Sequence, residues 1–322
     1  MTQRAWRAGT FLLLAALVAW PTTRVEAATA PARSTSKSSA PSRASKSSVA
    51  SAGSKAGKKR TASSKRRARR RTPPPGGVWA RNAIVLDPTT DQGLVEKNST
   101  RTVPIASLTK LMTALVFLEQ KPSLDREVEV TLAELNGAGH TQLRKGEHVA
   151  LGDLLHMSLM CSDNVATRVL ARESGLQADA FVARMNRKAV ELGLTSSRFV
   201  EFTGLDERNV SSASDVARLL HAAAHDPLIQ EITTTRQYQF ATGRRVHAVH
   251  NTNRLLYSRY EVLGGKTGFI LEAGYCFATW IRSQGRDLIA VVLGAPTNAT
   301  RFADTVRLLQ KSTAPAAVNA GQ

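Results

Sequence analysis

Residues 28–77 contain no aromatic residue, no Leu, no Ile and no acid, and this gap dictates where folding can begin. Ser, Ala, Pro, Lys and Arg dominate the stretch. Its apolar surface is too small to offset the entropy of ordering it, so a disordered basic linker is expected. The run Pro73-Pro74-Pro75-Gly76-Gly77 marks its end. The linker carries +14, whereas residues 78–322 carry only +3, so most of the +19 net charge belongs to the tail.

Ahead of the linker, residues 1–27 read as an export signal. Arg4 and Arg7 precede an apolar run, Phe11 to Trp20, that is too short to span a bilayer comfortably. Val25-Glu26-Ala27 offers small residues where a signal peptidase would cut; an uncleaved anchor is the alternative. Both place the remainder in the periplasm or otherwise outside the cytoplasm. The block Lys65 to Arg71 could hold phosphates. Behind an export signal, however, the nearer polyanions are lipid head groups and wall carboxylates. The tail is therefore expected to meet anionic envelope polymers, or to be a solvated spacer, rather than to bind nucleic acid.

The remaining 78–322 can form one sizeable domain or two interleaved lobes. Asn82 to Asp87 and Leu94 to Lys97 read as a strand pair across a turn. Leu108, Leu111, Met112, Leu115 and Leu118 predict a helix from Ser107 to about Glu119 with one apolar face. Further helices are expected at 152–160, 163–174, 178–192 and 214–224, the last capped by Ser214. Strands follow at 238–240, 246–249, 261–263, 275–281 and 288–293, and a helix over 299–310 closes the domain. Strands at both ends around a helical middle predict an α+β fold. An antiparallel sheet would be flanked by helices, with an all-helical lobe inserted.

Three short phrases carry the chemistry. Ser107-Leu108-Thr109-Lys110 places a hydroxyl and an ammonium on one helical face at the i, i+3 spacing. A desolvated lysine can take the serine proton and create a nucleophile. Alone the phrase is weak, since Ser34-Thr35-Ser36-Lys37 also matches it. Ser162-Asp163-Asn164 follows at the junction of two expected helices, and Lys266-Thr267-Gly268 lies in an expected strand opened by Gly264-Gly265. This set in this order is the one associated with penicillin-binding proteins and class A β-lactamases.

The chain thus resembles the low-molecular-mass penicillin-binding proteins, the serine D-Ala-D-Ala carboxypeptidases and endopeptidases, over residues 80 to 312. Ile105 to Thr113 and Gly265 to Phe269 are typical of the group, and Asn251-Thr252-Asn253-Arg254-Leu255-Leu256 is similar to its endopeptidase branch. The resemblance implies a β-lactamase/transpeptidase-like fold and no cofactor. It implies peptidoglycan stem peptides and crosslinks as substrates, and β-lactams as covalent inhibitors. Ser107 would be the nucleophile, Lys110 its base and Ser162 a proton relay. Asn164 would hold Lys110 and the substrate backbone. Lys266 would tune the field and hold Ser162, and Thr267 would bind the substrate carboxylate. Gly268 would let the substrate lie close, and the N–H groups of Ser107 and Phe269 would form the oxyanion hole. Arg301 would stand near the substrate's terminal carboxylate, its alternative being an exposed arginine at a helix start.

Other chemistry is disfavoured. Glu173, Glu191, Glu201 and Glu207 all lack the Asn four residues later that accompanies the water-activating Glu of class A β-lactamases. Slow deacylation of a bound penicillin is expected. His221 and His225 have zinc-ligand spacing, but Ala223 and Ala224 stand where the glutamate of such a peptidase belongs, so no metal is expected. Cys161 and Cys276 could pair or remain free thiols. The chain ends 54 residues after Gly268 without a second β-rich domain or amphipathic anchor. With the Asn251–Arg254 phrase, this favours an endopeptidase over a carboxypeptidase.

Overall fold

The computed structural model describes residues 77–313, and the expectations placed on residues 1–76 lie outside the described residues. β1 (Asn82–Asp87) and β2 (Gln92–Lys97) form the first antiparallel pair, and β3 (Val103–Pro104) leads into the helical middle. The helix expected from Ser107 begins as a 3-10 turn, Ala106–Leu108, and becomes α1 (Thr109–Glu119). The single apolar face expected for it understates the burial. Thr113, Ala114, Val116 and Phe117 are buried beside Leu111 and Met112, because α1 runs through the interior.

β4 (Glu127–Glu129), α2 (Leu132–Leu135) and β5 (His148–Ala150) form a rim in which β4 and β5 pair. The expected helix 152–160 is divided into α3 (Leu151–His156) and a π-helical turn, Met157–Cys161, that ends with Ser162 in the left-handed region. Asp163 then caps α4 (Asn164–Glu173) by accepting the Ala166 N–H at 3.0 Å. α5 (Ala178–Glu191), β6 (Val210–Ser211, paired with β3) and α6 (Ala213–Ala224) complete this lobe. Ser212, not Ser214, caps α6, since its hydroxyl accepts the Asp215 N–H at 3.1 Å. Ser214 sits inside the first turn and donates to Ser99 O instead.

α7 (Pro227–Thr234) was not expected, although Asp226 as cap and Pro227 at its first position are a helix-start signature. The hairpin β7 (Gln237–Ala241) and β8 (Val246–His250) follows. Then come β9 (Glu261–Ile270), β10 (Gly274–Ser283), β11 (Arg286–Ala295) and α8 (Asn298–Thr313). The main sheet has the order β2-β1-β11-β10-β9 and is antiparallel throughout, so both ends of the domain build it.

Alternation along the strands sends side chains to two cores. Ile84, Leu86, Ile289, Val291 and Leu293 join the core shared with α1, α6 and the helical lobe. Ala83, Val85, Leu288, Ala290 and Val292 join a second core with Leu308 and Leu309 of α8. Asp304 of α8 accepts the N–H groups of Trp79 and Ala80 at 2.8 Å each, tying down the start of the domain. β9 is left as an edge strand, and that edge carries Lys266-Thr267-Gly268.

Candidate active site

Ser107 lies in the 3-10 turn that opens the buried helix, and the residue before it, Ala106, has φ +51°. Ser162 has φ +67°. Left-handed backbone costs a residue with a Cβ about 1–3 kcal/mol, and here it occurs at both serine motifs. Surrounding packing enforces it. Gly204, at φ +84°, presses so close to this turn that an added Cβ would stand 2.1 Å from Ala106 O.

Lys110 is fully buried one helical turn beyond Ser107. Its Nζ contacts three oxygens: Asn164 Oδ1 at 2.7 Å, Thr203 O at 2.6 Å and Ser107 Oγ at 3.2 Å. Burial pushes the Lys110 ammonium down to about 7, against the opposing pull of the Glu201 and Asp163 charges. A neutral amine has two N–H groups and one lone pair. With both N–H groups donated to Asn164 and Thr203, the lone pair is left for the Ser107 hydroxyl, the contact proton abstraction requires.

The second motif reaches Lys110 through Asn164, whose Nδ2 also donates to Ala138 O at 2.8 Å. The Ser162 hydroxyl oxygen is buried and has no hydrogen-bond partner among the described residues. Asp163 points the other way, capping α4 and accepting the Thr141 hydroxyl at 2.7 Å; burial raises its carboxyl above the ordinary range.

The third motif closes the site from the sheet. Lys266 is buried, and desolvation, reinforced by the Lys110 charge, holds it well below the usual lysine range. The expected contact from Lys266 to Ser162 is not made: the ammonium donates to Thr267 O at 3.0 Å, a backbone acceptor one residue away. Gly268 also has a packing reason that the sequence did not show. An added Cβ would lie 3.0 Å from both Ile105 O and Ser107 N, so glycine lets the strand pack onto the nucleophile turn itself. The Phe269 ring is 44% exposed and stacks on Tyr275.

Arg301 is only 6% exposed, which overturns the surface-arginine alternative. Its Nη1 donates to Gly268 O at 3.1 Å and Cys276 O at 3.3 Å, fastening β9 to β10 from behind. Burial pushes it down to about 10. Cys161 and Cys276 are free thiols, each driven up to about 11 by burial.

The three phrases thus converge in space, and comparison with known proteins gives the family. The family model described as D-alanyl-D-alanine carboxypeptidase, of the S11 peptidases, matches residues 68–297. The chain belongs to that family. A D-alanyl-D-alanine endopeptidase of Pseudomonas aeruginosa is 37% identical to the peptidase over 233 residues, which is 70% of this chain and 75% of the relative. The Escherichia coli endopeptidase is 34% identical with the same coverage. The carboxypeptidase DacF of Bacillus subtilis is 32% identical over 71% of this chain and 61% of its own. Among solved structures, the Streptomyces K15 DD-transpeptidase matches with a TM-score of 0.71 at 26% identity, over 76% of this chain and all of that one. Penicillin-binding protein D2 of Listeria monocytogenes, in its cefotaxime-bound form, matches with a TM-score of 0.65 at 30% identity, over 73% and 97%. The fold is therefore the α+β, β-lactamase/transpeptidase-like arrangement.

Sequence reasoning missed the loop that completes the site. Thr203 O receives Lys110, and Phe202 O accepts the Thr113 hydroxyl at 2.6 Å. Glu201 folds this loop by accepting the Thr203 N–H and hydroxyl at 2.6 Å each, together with Gly204 N and Asn209 Nδ2. Those bonds show Glu201 engaged in loop structure. Backbone acceptors leave no residue-type signature, so only the Thr203-Gly204 pair in the sequence hinted at a tight turn.

Proposed function

We propose that the peptidase hydrolyses D-alanyl peptide bonds of peptidoglycan through an acyl-enzyme on Ser107, and that its preferred substrate is the crosslink between stem peptides. The observation that carries the reading is the Lys110 amine, buried, depressed to about 7 and shared among Asn164, Thr203 and Ser107. Lys110 takes the Ser107 proton as Oγ attacks the D-alanyl carbonyl carbon. The resulting ammonium keeps its Asn164 and Thr203 acceptors, so protonation needs no rearrangement.

The N–H groups of Ser107 and Phe269 hold the oxyanion, each such donor lowering the barrier by about 3 kcal/mol. The proton that Lys110 took reaches the departing amine nitrogen through the Ser162 hydroxyl, which gives its own proton as the C–N bond breaks and is reprotonated from Lys110. The buried, unpartnered oxygen of Ser162 supports that role, since a substrate atom would satisfy it. Thr267 donates to the carboxylate beside the scissile bond, and the arriving carboxylate favours the charged form of Lys266 that burial alone disfavours. Arg301 backs the same position through Gly268 O. Water then releases the acyl group. Glu201 is bound into its loop, so a penicilloyl adduct should turn over slowly.

The crosslink preference draws on the Asn251–Arg254 phrase and the two endopeptidase relatives. In the same reading, residues 1–27 direct export to the periplasm, and the +14 segment 28–77 rests on anionic envelope polymers. Among the described residues, no helix is long and apolar enough to cross a membrane.

Intact-mass measurement after brief exposure to penicillin tests the nucleophile: one drug adduct is expected on the wild type and none on Ser107→Ala. Purified crosslinked dimers and free pentapeptides then separate the substrates. Faster cleavage of dimers is expected, and the reverse order would make the enzyme a carboxypeptidase.

A further inference from the structure

Thr252 sits where the sheet edge meets the turn before the second motif. Its Oγ1 lies 2.6 Å from Thr267 Oγ1 and 3.1 Å from Met160 O, and its backbone N–H donates to that same carbonyl at 3.0 Å. Met160 belongs to the π-helical turn that delivers Ser162. The flanking asparagines hold the hydroxyl there. Asn251 Nδ2 donates to Thr233 O and Thr235 O, and Asn251 Oδ1 accepts the Asn253 N–H at 2.9 Å. Asn253 Oδ1 accepts the Leu255 N–H at 3.0 Å. Asn251 and the Asn253 Oδ1 are used to fold the turn, the Asn253 Nδ2 lies against Gly265 of β9 without a hydrogen-bond partner among the described residues, and Thr252 is the member of the phrase whose hydroxyl reaches Thr267.

We infer that Thr252 is a positioning residue that orients the Thr267 hydroxyl for an anionic group on the substrate. The inference rests on the reading that Thr267 receives the substrate carboxylate. Thr252 has a single hydroxyl proton and two possible acceptors, Met160 O and Thr267 Oγ1. If it donates to Met160, the Thr267 proton points at Thr252 and is lost to the substrate. If it donates to Thr267, the Thr267 proton is free for a carboxylate.

Met160 O keeps the Thr252 amide N–H in both arrangements, so turning the hydroxyl leaves no buried acceptor unpaired. An arriving carboxylate selects the second arrangement. The resulting chain, Thr252 O–H to Thr267 O–H to carboxylate, has each bond polarised by the next. An uncharged ester draws much less on that chain. Thr252 therefore contributes to preference for an anion without touching it.

The test compares acylation of Ser107 by benzylpenicillin and by its methyl ester, followed by intact mass, with melting temperature measured in parallel. Thr252→Val, which removes the hydroxyl at nearly constant volume, should narrow the acid-to-ester rate ratio about 2- to 4-fold, the scale on which a neighbouring hydrogen bond strengthens one made to a charged group. Thr252→Ser should restore the ratio, and Thr252→Ala gives a second deletion should the valine disturb packing. Thr267→Val should narrow the ratio too. If Thr267→Val narrows it and the Thr252 deletions do not, Thr252 has no orienting role and the Thr267 reading stands. If Thr267→Val leaves the ratio unchanged, the carboxylate reading fails and the inference with it. Equal slowing of both probes, with a lowered melting temperature and no rescue by serine, would mean that Thr252 serves structure alone.

Discussion

Two buried lysines with no carboxylate bonded to either among the described residues are expensive to fold, and Lys110 shows what that cost supports. With its amine held near 7, acylation by a penicillin should rise with pH through an acid limb at about 7, because the base acts only when deprotonated. A pH–rate profile reads this directly. The same depression has a stability consequence. The folded state releases this proton near 7 while the unfolded chain keeps it up to the ordinary lysine range. Wild-type stability should therefore gain on Lys110→Met as pH rises from about 7 towards the ordinary lysine value of 10.5, as measured by paired melting curves. Gly268 is the other residue with no latitude. Gly268→Ala sets a Cβ against two backbone atoms, which cannot step aside as a side-chain end can. A loss of about 1–3 kcal/mol in stability, together with slower acylation, is expected from denaturant titration and intact mass.

Among the elements, the junction between α3 and α4 places the second motif. The π-helical turn and the left-handed Ser162 reverse the chain, and Asp163 fixes the start of α4 so that Asn164 reaches Lys110. Asp163→Ala should cost about 1–2 kcal/mol, as cap losses do, and should slow acylation by loosening Asn164. Asp163→Asn keeps an acceptor for the Ala166 N–H and should cost less. Thermal unfolding of the two variants side by side checks the order. The Ser107–Glu119 helix, the five main strands and the closing helix were legible because long periodic runs carry their own burial pattern. The Ser212 cap and the break at Met157 were not. Both depend on which hydroxyl or carbonyl finds a partner across the fold, as Ser214 does with Ser99.

For the molecule as a whole, the sheet assembled from both chain ends makes β9 an edge beside the nucleophile turn, while α8 seals the opposite face. The charge is distributed quite differently, with +14 on residues 28–77 and +3 on all that follows. A protein lacking residues 1–76 should therefore keep its penicillin acylation rate. Only the longer protein, from residue 28, should be retained on anionic vesicles, and raising salt should release it, since exposed charges are screened within about 10 Å at 0.1 M. Vesicle sedimentation across a salt series, with acylation measured on both proteins, tests this. Retention of the short protein to the same extent would remove the tail from the account.

By itself, the amino-acid sequence determined which residues were candidates for the chemistry and in what order they came. Ser107, Lys110, Ser162, Asn164, Lys266 and Thr267 are reactive or hydrogen-bonding types whose motifs survive as local strings. It also determined the strand–helix–strand plan, because periodicity is a local property. Tertiary structure alone decided how those strings meet. It put the Thr203 carbonyl on Lys110, turned Lys266 to its own neighbour's carbonyl instead of Ser162, and buried Arg301 behind Gly268. The physical reason is that a pKa, a hydrogen bond to backbone and a close approach at glycine all depend on atoms distant in the chain. None of those atoms leaves a mark in the residues beside it.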